Sequence, residues 1–178
     1  MKKTSILLSC FLLISCKGML IQSHTDSNYS EFKQSAWIEI KNTLQVEAEH
    51  ARVYLQNGKQ IKPSELDLYQ TDCEIEVRKV LDFPQTVFPG RYEIEAISID
   101  VSPIVFMQNN KIKYAFAGNS APVDVKRFWK FTLKSEKYPE VMFLLCRGVQ
   151  DRPSDAQLPT VVEIKQAVGD NIEVYLIQ

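Results

Sequence analysis

The sequence predicts a mainly β chain: a single antiparallel β-sandwich or partly open barrel with one short C-terminal helix. Three observations carry that expectation. Apolar and polar residues alternate with period two along most of the chain, the mark of strands with one buried face. Turn-forming residues break the runs at short intervals. One late stretch alone has helical spacing together with a start and a stop signal.

Strand-like runs occupy residues 37–40, 44–48, 51–55, 73–78, 92–99, 104–107, 111–116, 128–133, 141–146 and 172–177. In the run Cys73-Glu74-Ile75-Glu76-Val77-Arg78, the Cys, Ile and Val fall on one face. Both Glu and the Arg fall on the other, which predicts a half-buried strand with a charged, solvated outer face. By the same alternation Cys146 points inward with Met142 and Leu144. Gln56-Asn57-Gly58-Lys59 carries the Asn-Gly pair of a type I′ hairpin, whose two central residues need positive φ. Asn109-Asn110 is a weaker form of that signal, and Phe88-Pro89-Gly90-Arg91 predicts a type II turn with Gly90 at positive φ. The helix begins at Thr160-Val161-Val162-Glu163, a capping box, continues through Ile164, Ala167 and Val168, and stops at Gly169.

Ahead of this domain the chain reads as an address. Lys2 and Lys3 precede an apolar run ending at Leu13-Ile14-Ser15-Cys16, the anatomy of a secretory signal peptide. About a dozen apolar residues fall short of the roughly 20 that cross a bilayer as a helix. The last four residues resemble the bacterial lipobox, which implies cleavage before Cys16 and lipidation of that cysteine; Cys10 is a weaker candidate, too close to the start. Several acyl chains would make the anchor effectively permanent. In Gram-negative lipoproteins an Asp after the lipidated cysteine resembles an inner-membrane retention signal. Lys17 stands there instead, so the expected location is the periplasmic face of the outer membrane. The expected organisation is therefore a signal peptide over residues 1–15, a lipidated tether over 16–35 and a β-rich domain over 36–178. A flexible tether of this length reaches roughly 25 Å.

Loss of Lys2 and Lys3 with the signal peptide takes the formal charge from −1 to −3, with the remaining basic residues scattered. Nucleic acid is disfavoured as a partner. Cys73 and Cys146 then form an even pair in an oxidising compartment, and a disulfide between them is expected.

Chemical motifs are sparse. The sequence contains no phosphate-binding glycine loop and no Gly-x-Ser-x-Gly. His24 falls in the tether, and His50, among Glu47, Glu49 and Arg52, reads as a solvated strand-end residue. Asp67, Asp72, Glu74 and Glu76 read as a charged face without EF-hand spacing, although carboxylates that meet only in the fold leave a hydrolase open. No catalytic residue, metal ligand or cofactor is expected. The hairpin over 104–117 stands apart, because Ile104, Val105, Phe106 and Met107 are consecutive apolar residues and both strand faces need cover. Val105 and Met107 are the candidate contacts for an envelope partner.

The run from Ala51 to Gly58, the strand Cys73-Glu74-Ile75-Glu76-Val77-Arg78, then Cys146-Arg147-Gly148 and the late helix before a final strand resemble a set of proteobacterial outer-membrane lipoproteins with no assigned activity. The resemblance brings no catalytic residue with it and supports Cys73 and Cys146 as a structural pair. The expected role is a cell-envelope lipoprotein that binds or scaffolds, attached to the membrane through Cys16. A periplasmic small-ligand-binding module is the alternative, and a carboxylate hydrolase a more distant one.

Overall fold

A computed structural model of the chain describes residues 36–104, 107–108, 111–112 and 124–175. Within it, eight strands form one antiparallel sheet curled into a half-barrel, closed on its inner side by a short C-terminal helix. The strands are β1 (Trp37–Ile40), β2 (Leu44–Val46), β3 (Arg52–Gln56), β4 (Lys59–Ile61), β5 (Asp72–Val77), β6 (Gln85–Val87), β7 (Gly90–Pro103), β8 (Met107–Gln108), β9 (Lys111–Ile112), β10 (Val125–Lys134), β11 (Val141–Arg147) and β12 (Ile172–Tyr175), and the helix is α1 (Val161–Val168). The large sheet runs β12-β1-β7-β10-β11-β5-β3-β4, while β2 pairs with β6 and β8 with β9.

Alternation puts the core where the sequence places it. Two rows of opposed residues cross the inner face: Leu55, Cys73, Cys146, Trp129 and Ile99, and beside it Val53, Ile75, Leu144, Phe131 and Ile97. The first four residues of each row are buried in one continuous cluster. A bulge between Val141 and Phe143 resets the pattern at the start of β11. Val141 therefore enters the core opposite Val77, and Met142, expected inward, is only half-buried. An extra residue in one strand reverses every face beyond it, which alternation alone does not reveal.

Helix α1 forms as its capping box predicts. Thr160 Oγ1 accepts from the Glu163 N–H at 3.3 Å, and the Glu163 carboxylate accepts from the Thr160 N–H at 2.7 Å. Ile164, Ala167 and Val168 are buried in the core, and the helix packs against β3 and β5 near one border of the sheet and β12 at the other, so it bridges the two margins of the curl. The seam is tight. Asn57 and Gly58 have φ of 52° and 75°, as the I′ turn requires, and the Gly58 N–H donates to the Ala167 carbonyl at 3.0 Å. Gly169, at φ 54°, stops the helix against this turn, and a Cβ there would stand 2.4 Å from the Gly58 Cα.

Gly90 departs from expectation. It does not take positive φ; it begins β7 opposite Ile40, and the Tyr138 ring packs 3.2 Å from where its Cβ would be. Strand pairing of Gly90–Glu93 with β1 overrides the type II turn. No helix among the described residues is long and apolar enough to cross a membrane.

Candidate functional site

The outer face of β5 was expected to be solvated, and the structure corrects this. Asp72 and Glu74 are 1% and 0% exposed. Register brings their partners. Arg147 on β11 lies opposite Asp72, Arg52 on β3 opposite Glu76, and Lys126 on β10 reaches the same row. Lys126 Nζ lies 2.5 Å from Asp72 Oδ1, and Arg147 spans Asp72 Oδ2 at 2.8 Å and Glu74 Oε2 at 2.5 Å. Arg52 reaches Glu74 Oε1 at 3.4 Å and Glu76 Oε2 at 3.0 Å. Three cations thus face three carboxylates across four strands.

The segment between β4 and β5 covers one end of the ladder. Gln56 exchanges side-chain bonds with both backbone groups of Asp67, and Lys126 Nζ also donates to the Gln70 carbonyl at 3.1 Å. Burial works against the Arg147 charge, but Glu74 and Asp72 outweigh it, so the guanidinium pKa is raised. Arg52 behaves alike beside Glu74 and Glu76. Burial first, and the Glu74 charge second, push the Tyr54 phenol up. The two Glu74 oxygens face the two guanidinium groups, Oε2 toward Arg147 and Oε1 toward Arg52. Such a ladder resists loss of any one member, because a buried charge left without its counter-ion costs several kcal/mol. Chemically it is saturated: Asp72 and Glu74 are engaged and buried, so neither is presented to a substrate.

A small cleft adjoins the ladder at Arg52. It encloses about 190 Å³ and is lined by Glu47, His50, Tyr54, Gln60 and Lys62 among others. His50 is exposed, as expected, with Nδ1 2.8 Å from the Ala48 carbonyl. A wider groove of about 530 Å³ lies between α1 and the margin strand β12, edged by Lys41, Lys165, Asp170 and Glu173. Both are charged and open, unlike the mostly apolar concavities that enclose small ligands. Among the described residues no group of three or more His, Cys, Asp or Glu is placed to hold a metal ion.

Of the residues singled out in the sequence, Cys73 and Cys146 are bonded, directly opposed on β5 and β11 with Cα atoms 4.1 Å apart. Cys16 and Val105 lie outside the described residues, and Met107 is placed only as backbone in β8, opposite Ile112. Ile104 is half-buried, its N–H donating to the Asp124 carbonyl at 2.9 Å. Sequence reasoning missed Lys126 and Arg147. The available signal was a Lys and an Arg on the outward positions of strands otherwise rich in large apolar residues. No family model, no curated protein and no solved structure matches the chain.

Proposed function

We propose that the chain is a cell-envelope lipoprotein, exported, cleaved before Cys16 and held by lipid at the periplasmic face of the outer membrane, where its β domain binds or scaffolds an envelope partner. The observation that supports this most is the Cys73–Cys146 disulfide, buried in the core between two central strands. Such bonds form and persist in oxidising compartments, the same side of the membrane to which the N-terminal sequence directs the chain. The two features are independent, one in the leader and one in the fold. Binding rather than turnover is favoured because the most concentrated charge in the described domain is neutralised internally.

The test is fractionation of cells expressing the full chain and its Cys16→Ala variant. The wild type should sediment with membranes and carry a lipid mass on an N-terminal Cys16, and the variant should lose both. An unlipidated wild type, or a variant whose fractionation and N-terminal mass are unchanged, would overturn the reading.

A further inference from the structure

β7 is fourteen residues long, but β1 pairs only with its first four, Gly90–Glu93. The contact reaches one residue further, where the Ile94 N–H donates to the Ala36 carbonyl. Beyond that point β7 is paired on its β10 side alone among the described residues. The margin is open to solvent: Ile99 and Val101 are 40% and 47% exposed. The Val101 N–H donates to the carboxylate of the preceding Asp100 at 2.8 Å. That amide is therefore turned away from β10, and in an antiparallel ladder residues two apart turn the same way. Ile97, Ile99 and Val101 thus direct their backbone groups to the open margin, with their side chains on the inner face opposite Phe131, Trp129 and Arg127.

We propose that this margin pairs with the same margin of a second copy, antiparallel about a two-fold axis at Ile99. The commitment to a second copy comes from self-complementarity. With Ile99 opposite Ile99, Ile97 falls opposite Val101, and all three are residues whose backbone groups face the partner. The ladder closes with about six backbone hydrogen bonds. Apolar side chains meet on the inner face. On the outer face Asp100 meets the Ser98 hydroxyl and Ala96 meets Ser102, so no like charges oppose each other within 96–102. Asp100 changes partner on pairing: it releases the Val101 N–H to the ladder and accepts from Ser98. A long apolar strand margin left bare is a template for pairing, and an isologous two-fold contact closes it without leaving a further free margin at that site. The inference rests on β7 alone and holds whether or not Cys16 is lipidated.

The test is sedimentation of the purified chain over a range of concentrations, with Ile99→Lys and Val101→Pro compared against wild type. Lysine at 99 places two like charges on the axis. Proline at 101 removes a margin donor that β10 does not use, so the fold is retained. Circular dichroism and melting temperature verify that. The proposal requires a monomer–dimer equilibrium in the wild type that both folded variants shift to monomer. It is overturned by a wild type that stays monomeric at every concentration, or by a dimer that both folded variants leave intact. It is also overturned if dimer appears only after removal of residues 16–35, which would assign the margin to the chain's own tether.

Discussion

The middle of each inner row and its β7 end teach different things about one sheet. At β5 and β11 both faces are covered: Cys73, Ile75, Leu144 and Cys146 are 0% exposed inside, and Glu74 is 0% exposed outside. At β7 the same rows end on Ile97, half-buried, and Ile99, 40% exposed. Alternation does not separate the two, since β5 and β7 both place apolar residues on the inner face and polar ones on the outer. What separates them is the neighbour. β5 has a strand on each side, a disulfide, an ion-pair ladder above and α1 below, whereas the far part of β7 has, among the described residues, a strand on one side only. The first region is closed on both faces and the second keeps exposed apolar side chains.

Replacing both cysteines, Cys73→Ala with Cys146→Ala, should give the largest loss. The bond joins residues 73 apart in sequence and constrains the unfolded chain by about 4 kcal/mol. Urea denaturation of the oxidised wild type and the double variant measures it, and equal midpoints would mean that β5 and β11 are locked by other means. Arg147→Met should cost about 3 kcal/mol by leaving buried Asp72 with Lys126 alone and buried Glu74 with the more distant Arg52, well above Arg52→Met, whose side chain is 43% exposed. Similar small losses from both would show the ladder to be ornamental. Leu144→Ala should cost about 3 kcal/mol, and Ile99→Ala in dilute monomer under about 1 kcal/mol, because only the first leaves a cavity. Equal losses would break the contrast between the regions.

The smallest expected effect lies at the β12 margin. Bonds from Lys41 and Tyr175 hold the Glu173 carboxyl below its ordinary 4.5. A lowered folded pKa contributes stability above the unfolded value and loses it as pH falls through the folded one. Melting temperatures of wild type and Glu173→Gln should therefore differ slightly above pH 4.5 and converge in stronger acid. A gap that widens on acidification would contradict that sign.

Much of the fold was legible because it is local. The Asn57-Gly58 turn, the Thr160 capping box and the inward face of Cys73, Ile75 and Val77 are each decided within a few residues, and each stands as read. The pairing of Cys73 with Cys146 followed from counting the cysteines left after the expected leader, in the oxidising compartment that leader implies. The misses are all non-local. Gly90 was read as a turn because Pro89 precedes it, but β1 captures it as a strand. Glu74 was read as solvated because nothing in its own strand foretells Arg147, seventy-three positions on, or the segment that covers Asp72. The β11 bulge and the reach of β7 to Pro103 depend on partner strands that the sequence does not identify. Cys16 and Val105 were singled out from the sequence and lie outside the described residues.

Amide hydrogen exchange at two protein concentrations tests the contrast most directly. The account predicts slow exchange at Ile75, Leu144 and Cys146 at both concentrations. It predicts fast exchange at Ile97 and Ile99 in dilute solution, slowing as concentration rises and the margin is paired. Protection of Ile97 and Ile99 at dilution equal to that of Leu144, or exchange there that ignores concentration, would contradict it.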